Sequence, residues 1–298
     1  RLEDGSNEVV DVAWLVGCDG AHSSVRHLNR QHFPGESDPG QYIVADVVLD
    51  PPPAADELEI YLSDEGLLVL LPLPEGRTLV NADVALHHDG RTETPSLAEV
   101  QDLLDGRGTS GAKARDPRWL SWYRIHYRLT PHYRHGRTFL AGDAAHVQSP
   151  FAGLGMNTGI QDAYNLGWKL ALVSQGRAPE SLLDSYEKER HAIAQDVLAL
   201  SREKTKHFTE FAHLTQDARD RIYRHVHVSK AEKSRLARHI QELDLDYRRS
   251  PICSEHMRSR ASGAKHDSGP HAGSEAIDRK STRLNSSHSS VSRMPSSA

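Results

Sequence analysis

The stretch from Arg137 to Ala171 restricts the fold of this chain more than any other. Arg137-Thr138-Phe139-Leu140-Ala141 is a short apolar run of the kind found in strands covered on both faces, and Gly142-Asp143-Ala144-Ala145-His146 follows at once. Next comes the loop Pro150-Phe151-Ala152-Gly153-Leu154-Gly155-Met156-Asn157, and a helical pattern begins where it ends. Met156, Ile160, Ala163, Gly167, Leu170 and Ala171 share one helix face at a spacing of about 3.6 residues, while Gly176 and Pro179 stop the helix. A strand, an acidic turn, a glycine loop and a helix in this order predict an α/β unit.

The chemistry of that unit follows from its parts. Ligands of parallel sheets sit beyond the carboxyl ends of the strands, so Asp143 is placed to accept hydrogen bonds from a ligand hydroxyl. Gly153 and Gly155 let the backbone approach a flat ring without a Cβ in the way. The loop feeds a helix N-terminus, whose unpaired amides and dipole favour negative charge. Gly153-x-Gly155-x-x-x-Gly159 is no dinucleotide fingerprint, because its last gap is one residue too long and no strand directly precedes it. Taken alone, Gly-Asp-Ala-Ala is read equally well as a plain strand-to-helix turn.

The rest of the chain predicts α/β architecture with a separate β-rich part. Val9 to Val16 is a near-continuous apolar run expected to form a strand buried on both faces; it ends at Gly17-Cys18-Asp19-Gly20, and Ser23 and Ser24 offer caps for a short helix carrying Val25, Arg26 and Leu28. Strand patterns over 41–49, 58–62, 67–71 and 78–86 suggest an antiparallel sheet, with a helix from Pro95 and Ser96 through Leu104 and a further strand from Trp119 to Leu129. Leu183, Tyr186, Arg190, Ile193, Val197 and Leu200 stripe a second long helix after the glycine loop. Trp119, Trp122, Tyr123 and Tyr127 are read as strand residues that fill a core in preference to lining a pocket.

Charge narrows the partners. A net charge of -5 speaks against nucleic acid or an anionic membrane, which need a concentrated basic face, and favours a small molecule. Two cysteines, Cys18 and Cys253, stand far apart without metal-type spacing, so a reducing cytoplasm is the expected setting and Cys18 reads as a small buried side chain. His126, His132, His135 and His146 match no metal spacing and are read as surface or packing residues, so no metal is assigned. No apolar run of about eighteen residues predicts a membrane span.

Gly142 to Leu170 resembles the GD motif of the flavoprotein aromatic hydroxylases related to para-hydroxybenzoate hydroxylase, in particular their phenol and polyketide hydroxylase branch. Cys18-Asp19-Gly20 to Arg26 resembles their DG motif, and the two motifs flank a β-rich insert in the family's order. The resemblance implies a partial FAD-binding, Rossmann-like domain interrupted by a β-rich substrate domain and followed by helices. It implies FAD as cofactor, NAD(P)H as co-substrate, and hydroxylation of a phenol-like aromatic substrate with O2 by way of a flavin hydroperoxide. Asp143 would then hold the ribityl chain, Pro150 would lie beside the flavin ring, and Gly153, Leu154, Gly155, Met156 and Asn157 would line its pyrimidine edge. Gly142 belongs to the same turn, and Asp19 and Arg26 of the DG motif would serve the FAD pyrophosphate region and NAD(P)H, where the residues alone read as a helix-entry turn. The family's Gly-Gly-Gln-Gly is replaced by Ala152-Gly153-Leu154-Gly155, which alters a polar contact near the flavin. No catalytic acid or base is assigned.

The expected domains are residues 1–35 (FAD-binding, DG motif), 36–130 (β-rich substrate domain), 131–204 (FAD-binding, GD motif and helices), 205–260 (helical) and 261–298 (disordered tail). Tyr247-Arg248-Arg249-Ser250-Pro251 resembles the segment leading to the thioredoxin-like C-terminal domain of that branch, and Asp278 to His288 resembles a translated sequencing-adapter oligonucleotide. Arg1 opens the chain in the approach to a strand, so the first βαβ unit with its glycine-rich turn is expected upstream and the chain alone is expected to be inactive. Alternatives on the same scaffold are an epoxidase, a halogenase or an antibiotic-modifying monooxygenase. A homodimer is one open form of assembly.

Overall fold

The computed structural model describes residues 5–84, 94–109 and 111–212, together with 214, 215, 217–219, 221, 245, 247 and 250–253. The helical segment expected over 205–260 is therefore covered only in part, and the tail from 261 lies outside the described residues.

Strand β1 (Leu15–Gly17) leads into helix α1 (Ser24–Leu28), and β2 (Gly35–Ser37) into the long β3 (Gln41–Asp50). Strands β4 (Glu59–Ser63), β5 (Gly66–Leu73) and β6 (Arg77–Val84), helix α2 (Leu97–Gly106) and strand β7 (Lys113–Tyr123) complete an antiparallel sheet of order β4-β5-β6-β3-β7. The chain then returns through β8 (His126–Leu129), β9 (Arg134–His135), β10 (Thr138–Leu140) and β11 (His146–Val147) to the long helices α3 (Gly155–Ser174) and α4 (Asp184–Ala212). β1 lies parallel to β10, which pairs antiparallel with β9. β8 sits between β11 and β2. Residues 15–17 and 138–140 thus meet across the whole β-rich insert, the parallel pairing expected when the two flanking segments belong to one unit.

Strand β3 is covered on both sides, which explains its nearly unbroken burial. Ile43, Ala45, Val47 and Leu49 join Val100 and Leu104 of α2 in one core. Tyr42 points the other way and joins Ile125, Tyr127, Tyr123 and Phe151. Helix α2 begins in a capping box, with the Ser96 hydroxyl accepting from the Glu99 amide at 3.2 Å and the Glu99 carboxylate accepting from the Ser96 amide at 2.8 Å.

Three expectations require correction. The strand expected from Val9 to Val16 is formed only from Leu15, and Val9 and Val12 are 92% and 58% exposed. Apolar sequence alone does not make a strand: residues 9–14 have no ladder partner among the described residues to satisfy their backbone groups. The strand expected from Trp119 to Leu129 is divided between β7 and β8, which belong to different sheets. Cys18 is exposed, not buried.

Helix α3 buries a polar face. Met156 and Ile160 of its apolar stripe are 75% and 59% exposed, and Tyr164 is 59% exposed. The buried face carries Thr158, Asp162, Asn165, Leu166 and Lys169. Burial of this polar face is possible because each charged group meets a partner. Lys169 donates to Glu189 at 2.7 Å, and Asp162 accepts from Arg190 at 2.7 Å. Arg190 lies in the otherwise apolar stripe of α4, whose Tyr186, Ile193 and Val197 are buried as expected.

Candidate functional site

At the carboxyl end of β10 the chain makes a tight turn over Gly142–Ala144, and Gly142 enters it at φ +59°, a conformation that favours glycine. The turn crosses α3 closely: a Cβ on Gly159 would lie 3.3 Å from the Gly142 Cα. Gly159 is thus a packing glycine, which accounts for its place in the rejected fingerprint. Ala144 and Ala145 are fully buried, whereas Asp143 between Gly142 and Ala144 is exposed. Its carboxylate takes no hydrogen bond or ion pair from any described residue and is free for a ligand.

Three anchors hold this turn. The amide of Gly142 donates to Asp162 Oδ2 at 3.0 Å, and His146 Nε2 meets the same oxygen at 2.7 Å. The Ala144 carbonyl accepts from Arg26 Nη1 at 2.8 Å. The amide of Thr130 donates to the Ala145 carbonyl at 2.8 Å. Burial tends to raise the Asp162 carboxyl, but the hydrogen bond and charge of His146 and the Arg190 guanidinium outweigh it and hold the group below the ordinary carboxylate range.

The glycine loop follows. Pro150 is exposed, and Gly153 takes a left-handed conformation at φ +67° that turns the chain into α3. Leu154 stands at the helix N-cap, and it supplies no side-chain acceptor to the first-turn amides. The Leu154 side chain turns inward against Ile193 and Val197, so only its backbone is available at the loop surface. Gly155 and Asn157 are half-buried and Met156 is exposed. Behind the loop, the Gln148 side-chain amide has a buried Nε2 without a hydrogen-bond partner, and the place of a Gly155 Cβ lies 3.5 Å from it. An exposed acid, an uncapped helix start, glycines in place of Cβ atoms and an orphaned donor together fit a flat polar ring carrying a hydroxylated chain.

The two residues expected from the DG motif behave differently from each other. Arg26 is only 3% exposed and divides its guanidinium between the carbonyls of Ala144 and Ala21, at 2.8 and 2.6 Å, with its cation 3.9 Å from the Phe33 ring centroid. It joins the two motifs through protein contacts. Asp19 is exposed and accepts from the Val25 amide at 3.1 Å, a capping role at α1. Desolvation is the largest single influence and tends to raise its carboxyl, but hydrogen bonds from Ser23 and from the amides of Val25 and Ser24 together outweigh it and hold the group below the usual range.

The second sheet reaches the loop through aromatic rings. Phe151 meets Tyr42 edge-on at 5.5 Å between centroids, and Tyr42 stacks on Tyr123 at 5.3 Å. Burial pushes the Tyr42 phenol up strongly and Tyr123 up to about 12, so both remain hydrogen-bond donors at neutral pH. Tyr123 and Tyr127 therefore stand at the junction, while Trp119 is 52% exposed and Trp122 packs in the α2 core.

Reading by residue type missed Asp162, His146 and Arg190 as a set. The available signal was Arg190 in an apolar stripe, since a buried guanidinium requires a buried acid. His132 lies 3.3 Å from Glu187 and His126 lies 2.8 Å from the Ser37 hydroxyl. No group of metal-ligating side chains is found among the described residues.

Comparison with known proteins agrees with this geometry. The family model described as FAD binding domain matches residues 1–201. The chain is 40% identical over 203 residues to 6-methylpretetramide 4-monooxygenase of Streptomyces rimosus, covering 68% of this chain and 36% of that protein. It is 35% identical over 203 residues to pentachlorophenol 4-monooxygenase of Sphingobium chlorophenolicum, covering 66% and 37%. Among solved structures, anhydrotetracycline hydroxylase from Streptomyces rimosus superposes with a TM-score of 0.64 at 32% identity, covering 82% of this chain and 48% of that one. A Diels-Alderase of pyrroindomycin biosynthesis superposes with a TM-score of 0.67 at 32% identity, covering 79% and 51%. The chain thus spans 36% and 37% of the two curated relatives' lengths.

Proposed function

This chain belongs to the FAD binding domain family of the aromatic-ring monooxygenases, and from that premise we propose that it supplies the flavin-ring and ribityl part of an NAD(P)H-dependent hydroxylase of phenol-like aromatic compounds. The observation that carries the reading is the exposed, unpartnered Asp143 carboxylate on a turn packed against α3 at Gly159, a helix whose N-terminus no side chain caps.

Bound FAD supplies the electron transfer from NAD(P)H and the activation of oxygen. In the overall reaction one oxygen atom enters a ring C–H bond as hydroxyl. The other leaves as water with the two electrons of NAD(P)H and two protons, one from NAD(P)H and one from solvent. The chain's own residues bind and orient. Asp143 accepts hydrogen bonds from ribityl hydroxyls, and the backbone amides at Gly155, Met156 and Asn157 stabilise negative charge at the pyrimidine edge. Gln148 offers its free amide behind that edge. Pro150 lies on the exposed side of the loop, where it borders the ring. Tyr42, Tyr123 and Phe151 form an apolar wall between the loop and the five-stranded sheet, which excludes water and suits an aromatic substrate. On this reading residues 36–130 are the substrate domain, Arg26 acts by holding the Gly142–His146 turn at the Ala144 carbonyl, and Asp19 acts by capping α1.

Among the described residues no helix is long and apolar enough to cross a membrane. The two unpaired cysteines support a reducing, cytoplasmic setting as part of the proposal.

The test is direct. The purified chain mixed with FAD is expected to elute from gel filtration with flavin absorbance, and Asp143→Asn is expected to weaken binding roughly tenfold to a hundredfold, as for loss of a charge-assisted hydrogen bond. A colourless protein peak with the wild-type chain overturns the reading. The similarity to a Diels-Alderase gives a second reading, an FAD protein whose product is an isomer of its substrate. Oxygen uptake matched to NAD(P)H oxidation and a hydroxylated product, measured on a full-length relative carrying this segment, decides for hydroxylation.

A further inference from the structure

We propose that Asp162 is a positioning residue that sets the place of Asp143 by clamping both ends of its turn. The proposal rests on the flavin reading of Asp143. A single carboxylate oxygen, Oδ2, accepts from the Gly142 amide at 3.0 Å and from His146 Nε2 at 2.7 Å. These are the first and last residues of Gly142-Asp143-Ala144-Ala145-His146. An ionised carboxylate only accepts, so His146 donates from a protonated Nε2. The other oxygen, Oδ1, takes Arg190 Nε at 2.7 Å, and Arg190 also donates to the Thr158 carbonyl at 3.1 Å and to the Tyr247 hydroxyl at 2.8 Å.

Asp162, His146 and Arg190 are all fully buried. Rearrangement of any of them leaves a polar group without water or partner, so the contacts admit one arrangement. The turn between the clamped ends is short, and Arg26 ties its middle at the Ala144 carbonyl. Asp143 projects outward from a backbone held at three points. The buried polar face of α3 follows from the same device, because the helix must turn its Asp162 side toward the turn.

Asp162→Asn keeps the shape and one acceptor for Arg190, but sets an amide NH2 against the Gly142 N–H and His146. A buried donor left unsatisfied corresponds to a loss of roughly fivefold to a hundredfold in FAD affinity. Wild type, Asp143→Asn, Asp162→Asn and the double variant are titrated with FAD by flavin fluorescence, and amide hydrogen exchange is measured on the peptide spanning 138–147. If Asp162 acts through Asp143, Asp162→Asn weakens FAD about tenfold alone and adds less than about twofold to Asp143→Asn. Additive losses, or an unchanged affinity in Asp162→Asn, overturn the proposal.

Exchange is read without flavin and separates the two ideas. A wild-type chain that does not bind FAD refutes the functional reading, and the clamp then stands or falls on exchange at 142–146. Acceleration of about tenfold in Asp162→Asn, confined to that peptide, supports it, and unchanged exchange overturns it. Where Asp162→Asn fails to fold, His146→Gln retains the Asp162–Arg190 pair and releases only the far end. It is then expected to change FAD affinity and exchange in the same direction by a smaller factor, and no change in either overturns the clamp.

Discussion

Replacement of Glu189 by Gln tests how α3 and α4 are held together. Lys169 is fully buried on α3, and its Nζ lies 2.7 Å from both Glu189 Oε2 and Asn165 Oδ1. Glu189 accepts in addition from Asn165 Nδ2 at 2.6 Å and from the Ser250 hydroxyl. Glu189→Gln preserves volume and part of the hydrogen bonding, but leaves the Lys169 ammonium without its counter-charge in a site that water does not reach. Removing one partner of a buried pair costs about 3 to 5 kcal/mol. For a folded unit of about 200 residues each kcal/mol lowers Tm by about 2 to 4 °C, so the expected drop is about 6 to 20 °C. Thermal unfolding followed by circular dichroism at 222 nm measures it. Lys169→Met with Glu189→Leu removes both charges and is expected to recover most of the loss, because an apolar replacement of the whole pair is often neutral. A Tm change below about 2 °C in Glu189→Gln, or a double variant as unstable as the single, would refute the claim that charge pairing permits this polar face to be buried.

Other perturbations probe the remaining joints. Arg26→Met removes the donor to the Ala144 carbonyl and is expected to lower stability by about 1 to 3 kcal/mol and to weaken FAD binding, measured by urea unfolding and flavin titration; equal stability to wild type would show that the DG and GD motifs are not coupled there. Ser96→Ala breaks the capping box of α2 and is expected to cost about 1 kcal/mol without changing FAD affinity, as read from the urea midpoint. The folded Asp162 carboxyl titrates below its ordinary 3.8, so its contribution is complete above that pH and is lost as pH falls through the lower folded value. Acid unfolding of Asp162→Asn is therefore expected to be less steep than that of wild type below about pH 4, and identical slopes would count against a lowered carboxyl.

The polar helix face shows how far sequence reading reaches. The order of strand, Gly-Asp turn, glycine loop and helix was legible because each step uses a local rule: apolar runs, φ values open to glycine, and helix periodicity. The parallel pairing of residues 15–17 with 138–140 was legible only through the family's order of motifs, since nothing local joins segments so far apart. Periodicity groups Met156 and Ile160 on one face of α3, but only folding shows that Thr158, Asp162, Asn165 and Lys169 are the residues turned inward.

By itself the sequence determined the kinds of element, the acid that ends β10, and the glycines that leave the loop bare, because these depend on residues close in the chain. Tertiary structure alone decided that Asp162 joins Gly142, His146 and Arg190, that Arg26 ties one motif to the other, and that Tyr42 brings the second sheet to Phe151. These contacts lie between residues 16 to 118 positions apart, and a buried charge is tolerable only where folding delivers its partner.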